Sequence, residues 1–306
     1  MASILASTSS TSARQVFRAL VSAATVLVAA VAVGPTALAA PTGTACGTPL
    51  TPAETAAIAE LSDTGTLTGS SLGQLEQAVD RHRKITRILV GHRDLRGVFA
   101  LGLDAVEQAA VLPLQRDPAS FDDPEWAHRI SLELLSRFLR TVHAEFTGAP
   151  ADPHWANYFA LSRRCALSPA RVAMAGYNAH LTVDLSYSVA AVGSTAANAR
   201  DYYRIVDAIA QQGALIVEAT KAVYGGDLGP LWRFYFVGEG LDLLLGRGVA
   251  TGPLLRLADA GANVVIFANG LAMRDPAAAP AVVAEIDALW RGLDPAFQAL
   301  SEIGAL

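Results

Sequence analysis

The sequence predicts an all-helical fold: one globular multi-helix bundle of about eight or nine helices, packed around a buried central helix at residues 169–192. Three observations predict it. Apolar residues recur at spacings of three and four along almost the whole chain after residue 50. Six helix starts are written out as capping residues, five of them followed at once by proline. No stretch alternates with period two, no hairpin dipeptide lies between strand-like runs, and no internal repeat is present.

In chain order, residues 1–39 fit an export signal. Arg14 and Arg18 lend positive charge to a Ser/Thr-rich leader with no acid, and an apolar run from Ala19 to Val33 is broken by Gly34-Pro35. Ala37-Leu38-Ala39 is a small-x-small cleavage pattern, and cutting after Ala39 avoids leaving Pro41 at the new N-terminus. The run is shorter than the roughly 20 residues of a spanning helix. Gly43-Thr44-Ala45 lacks the large aliphatic residue that precedes the cysteine of a lipoprotein signal. No later segment is expected to span a bilayer without charges or helix breakers. The expectation is a secreted, extracellular chain with no stable membrane insertion, a flexible mature N-terminus at 40–50 and a helical domain at 51–306.

Thr51-Pro52-Ala53-Glu54 joins a capping box to a proline in the first turn. After a Gly/Ser/Thr-rich loop at 62–70, Ser71 with Gln74 opens a helix to about Val90. Leu75, Val79, His82, Thr86 and Leu89 form its apolar stripe, opposite Arg81, Arg83, Lys84 and Arg87. Residues 112–122 read as a loop. Asp123-Pro124, Asp152-Pro153, Ser168-Pro169 and Asp275-Pro276 are the remaining starts. The helix from Pro124 places Leu132, Leu135, Leu139, Val142 and Phe146 on one face. The helix from Pro169 is apolar all round, with no Lys, Arg or Glu after Arg171, so it belongs at the centre.

Of the 23 basic and 28 acidic residues, only Arg14 and Arg18 fall within the expected leader, so the mature chain carries a net charge of −7. That balance argues against nucleic acid as a partner, since phosphate binding needs a concentrated cationic surface. The basic cluster on the second helix reads as a solvated face. Cys46 and Cys165 are the two cysteines, and in an oxidising compartment such a pair is most simply a disulfide.

The central helix holds the residues that can carry chemistry. His180 and Asp184 are four apart and share a helix face, with Tyr177 and Tyr187 extending the stripe by three residues either way. An ionisable pair on a buried helix needs partners. Three arrangements supply them: a divalent metal such as zinc held by His180 and Asp184, an acid–base dyad with Asp184 orienting His180, or a structural polar network with the tyrosines. Asp201, opening the next helix, sits near the end of the central one as a third ligand or base, with Asp207 one to two turns on. Asn178 lies beside the pair. His82 and His128 read as core histidines, and His92, His143 and His154 as surface or loop-edge residues. Gly69-Ser70-Ser71-Leu72-Gly73 matches a nucleophile pattern but lacks the strand that motif requires, and Ser71 is better placed as an N-cap.

Gly176-Tyr177-Asn178-Ala179-His180-Leu181-Thr182-Val183-Asp184-Leu185 resembles the signature helix of a bacterial family of unknown function that is common in actinobacteria. Pro153-His154-Trp155 leading into Tyr158-Phe159, and Asp201-Tyr202 through Ile205, are similar to two further segments of it. The resemblance spans the second to the eighth helix and implies an all-helical fold, with no reaction attached. One departure is Val206, where the family leads one to expect Asn; if that Asn supports a site, the site is altered or absent here. Two functions follow. One is a metal-dependent hydrolase of phosphoester-like bonds using His180, Asp184 and Asp201. The other is a non-catalytic extracellular binding domain holding a small apolar molecule or a protein, with the His/Asp pair as a structural network.

Overall fold

The computed structural model describes residues 45–228, 253–302, 304 and 306; the expected export signal falls outside them. Among the described residues there are ten helical rods and no strand. They are α1 (Pro52–Leu61), α2 (Ser71–Gly91), α3 (98–115), α4 (Pro124–Thr147), α5 (Pro153–Ser162), α6 (169–191), α7 (Ala199–Gln211), α8 (Gly213–Tyr224), α9 (Pro253–Ala272) and α10 (Ala279–Glu302).

The starts show how local chemistry sets the boundaries. Thr51 and Glu54 form the capping box that opens α1, and Asp123 and Ser168 accept from Trp126 N–H and Arg171 N–H at the heads of α4 and α6. Asp152 occupies the N-cap of α5 without a side-chain bond. Two starts differ from expectation. The cap of α2 is Ser70, which accepts from Gly73 N–H, while Ser71 is already helical and donates to Glu125. Asp275 caps a tight turn through Ala277 N–H, and α10 begins at Ala279, with Pro280 in its first turn.

Two rods change pitch midway. α3 runs from Val98 to Val106, passes through a π-helical turn at Glu107–Val111 and resumes at Leu112–Gln115, so part of the expected loop is helix. Pro113 has no N–H for the carbonyl four residues back; the ladder widens just before it, with Leu112 N–H reaching Glu107 O. α6 runs from Pro169 to Tyr177, widens into a π-helical segment at Asn178–Asp184 and ends as Leu185–Ala191. Leu185 N–H there reaches back to His180 O, five residues away.

α6 is the centre of the bundle, packed by α3, α4, α5, α9 and α10. Its crossing with α3 is close because glycine faces the partner on both sides. A Cβ on Gly102 would stand 1.9 Å from the Tyr177 hydroxyl, and one on Gly176 would stand 2.7 Å from Phe99 Cβ. The expected stripes of α2 and α4 are buried, with Leu132 alone only partly covered. Arg83, Lys84 and Arg87 lie on the exposed side of α2. Residues 95–115 are long and apolar enough by length and composition to cross a bilayer, but they include charged residues and Pro113, as expected of every later apolar segment. They form a core rod of this bundle and carry Arg96, Asp104 and Glu107.

Residues 45–50 are tied to the turn between α2 and α3. Ala45 N–H donates to Asp94, Leu95 N–H to Ala45 O and Thr48 N–H to His92 O. Cys46 is bonded to Cys165, just beyond α5. Beneath lies a buried ionic knot: Arg96, 2 % exposed, holds Asp94 at 2.6 Å and Glu145 at 3.1 Å, with its guanidinium 4.4 Å above the Phe146 ring.

Candidate functional site

The π-helical segment of α6 divides the residues that the sequence groups together. In a regular helix His180 and Asp184 would stack on one face. The register shift turns them to different surroundings, and the two make no hydrogen bond with each other.

Asp184, 2 % exposed, faces α5. Its Oδ1 accepts from His154 Nε2 at 3.1 Å and its Oδ2 from Trp155 Nε1 at 2.8 Å. An ionised carboxylate only accepts, so His154 Nε2 and Trp155 Nε1 are the donors of this pairing. His154 is buried, correcting its reading as a surface residue: the first turn of α5 packs against the central helix instead of fraying into solvent. The pair lines a cleft of about 550 Å³ of mixed character, whose walls include Arg137, Asp152, Val183, Tyr187, Ile286 and Trp290. Tyr187 lies here, with the Arg137 guanidinium 5.5 Å above its ring.

His180 lines a different pocket. This is a cavity of about 130 Å³ between α3, α4, α6, α7, α8 and α9, with Leu103, Leu181, Ile205, Val206 and Ile216 among the walls. Its ring lies 5.1 Å from that of Phe99, and among the described residues its Nδ1 has no hydrogen-bond partner. Burial pushes its pKa down to about 4, against the opposing pull of Asp184 and with a smaller push from His82. At neutral pH the imidazole is therefore uncharged. Tyr177 shares this wall, and burial raises its phenol well above the ordinary value. Tyr202 donates to Asn263 at the same cavity. Val206, where the resemblance leads one to expect Asn, presents an apolar side chain to it.

The remaining residues go elsewhere. Asp201, 1 % exposed, accepts from Asp122 N–H at 2.9 Å and Asp123 N–H at 2.7 Å, joining the first turn of α7 to the head of α4. Asp207 is exposed on α7. Asn178 donates to Trp290 O at 2.9 Å and accepts from Thr182 at 2.8 Å, so it ties the π-helical segment to α10. His128 bonds to Gln115 O, His143 to Ala59 O and His92 to Glu54.

One grouping was not apparent in the sequence. His82 of α2 meets Glu107 of α3 at 2.6 Å, and Asp104 lies one turn before Glu107. Together they make a His/Asp/Glu group of a kind that can hold a metal ion. His82 is on the predicted stripe, but its partners lie on a different helix, and only the fold brings them together.

A family model described as "Family of unknown function (DUF5995)" matches residues 75–237, which contain both cavities' α6 residues and the His82 group. No curated protein and no solved structure matches the chain.

Proposed function

The chain belongs to DUF5995, a family of unknown function, and from that premise we propose that it is an exported helical binding domain that holds a small apolar molecule in the cavity beside His180. The observation that carries this reading is the cavity itself, with aliphatic side chains from five helices around one neutral imidazole. Its 130 Å³ suits a ligand of roughly benzene size. A few polar groups in an apolar wall orient such a ligand without demanding charge from it. The disulfide suggests a non-cytosolic location, in keeping with the export signal read at residues 1–39.

A hydrolase built on His180, Asp184 and Asp201 would need the three around one ion or one substrate. They face an apolar cavity, the His154–Trp155 pair and a helix cap, which favours binding over that reaction. Toluene tests the proposal. It should raise the melting temperature in a concentration-dependent way, as any ligand selective for the folded state does. Val206→Phe, which fills the cavity, should remove that response. No shift in the unaltered chain, or an equal shift in Val206→Phe, would sink the reading.

A further inference from the structure

We infer that His82, Asp104 and Glu107 form a binding site for one divalent transition-metal ion of the zinc type, separate from the apolar cavity. The ligand atoms these three residues offer all lie within 4.8 Å of one another, a spread that small side-chain movements close around one ion. His82 is fully buried and Glu107 is 4 % exposed, so neither can turn to water for a partner. One further observation points to a ligand. The Nδ1 of His82 meets Glu107 at 2.6 Å, while its Nε2 is buried and without a hydrogen-bond partner among the described residues, so the ring keeps one buried nitrogen that nothing satisfies.

Charge makes the same case. Glu107 is buried against His82, and the half-buried Asp104 brings a second carboxylate to the same group. Buried charge of that kind is costly unless it is paired or coordinates a metal. A divalent ion with a neutral imidazole balances both carboxylates. The donor set selects the ion class: calcium and magnesium favour all-oxygen cages, whereas a nitrogen with two carboxylate oxygens suits zinc and its neighbours. Three protein ligands leave a coordination position open.

The probe is Co²⁺, titrated into chelator-treated purified chain with its disulfide intact and followed by visible absorption, with Zn²⁺ competition read by calorimetry. The site predicts saturation at one ion per chain, displacement of Co²⁺ by Zn²⁺, and no saturable binding of Mg²⁺ at the same concentrations. Asp104→Asn and Glu107→Gln should each weaken binding by roughly 100-fold or more, at least the loss seen when even a supporting residue of a metal site is removed. Asp104 is only half buried, so Asp104→Asn reads the site even if Glu107→Gln does not fold. Absence of stoichiometric Co²⁺ binding, or binding that both variants retain at full strength, would overturn the site and leave a buried His–Glu pair. Neither result bears on toluene binding at the cavity.

Discussion

Asp184→Ala should destabilise the chain by about 3–5 kcal/mol, the usual result of breaking a buried charged cluster from one side. The carboxylate accepts from both His154 and Trp155 and is 2 % exposed. Its removal leaves two buried donors with no acceptor, and the shortened side chain gives neither a substitute. Asp184→Asn should cost less, because the amide oxygen still satisfies one donor. A double-mutant cycle distinguishes the arrangement from the one the sequence suggests. Asp184→Ala should couple strongly to His154→Ala, its hydrogen-bonded partner, and only weakly to His180→Ala, which feels the carboxylate without bonding to it. Urea unfolding of the set measures this. Coupling to His180 with none to His154, or an Asp184→Ala chain as stable as the original, would contradict the geometry.

Loss of the Cys46–Cys165 bond is the second large effect. The bond closes a loop with a sequence separation of 119 residues. In the chain-entropy account a loop of that size stabilises by about 4–5 kcal/mol, by restricting the unfolded chain. Cys46→Ser with Cys165→Ser should therefore unfold at a markedly lower urea concentration. The slope of the transition should rise as well, because the uncrosslinked unfolded chain exposes more surface. The hydrogen bonds of Ala45 and Thr48 remain in the variant, so its folded state should keep the native helical content. A loss below about 1 kcal/mol would mean that the unfolded chain is already restrained across this loop.

The helices were legible because their signals are local. The stripes of α2 and α4 follow from spacing alone, and Thr51, Asp123 and Ser168 mark their helices by side-chain bonds spanning three residues. Ser70 displaced Ser71 as a cap because adjacent serines offer the same chemistry, and only the backbone decides between them. The start expected at Asp275 gave way to Ala279 because Pro280 provides a second, competing start signal. What the sequence could not give was register within α6. An i,i+4 argument assumes an unbroken α-ladder, and the π-helical segment at Asn178–Asp184 breaks it between the two residues concerned. Asp184 consequently finds its partners on α5, although Pro153-His154-Trp155 had already stood out by resemblance. The His82–Asp104–Glu107 group was hidden for a different reason: each residue is unremarkable on its own helix, and the contact spans 25 residues of chain between His82 and Glu107.

The central claim is that His180 lines a cavity that takes up a small apolar molecule. Crystals of the chain pressurised with xenon test it most directly, because xenon enters apolar cavities of this size and scatters strongly. The account predicts a single strong xenon peak between Leu103, Leu181 and Val206, beside the His180 ring. Ordered water hydrogen-bonded to His180 Nδ1 at that position, with no xenon, would contradict it.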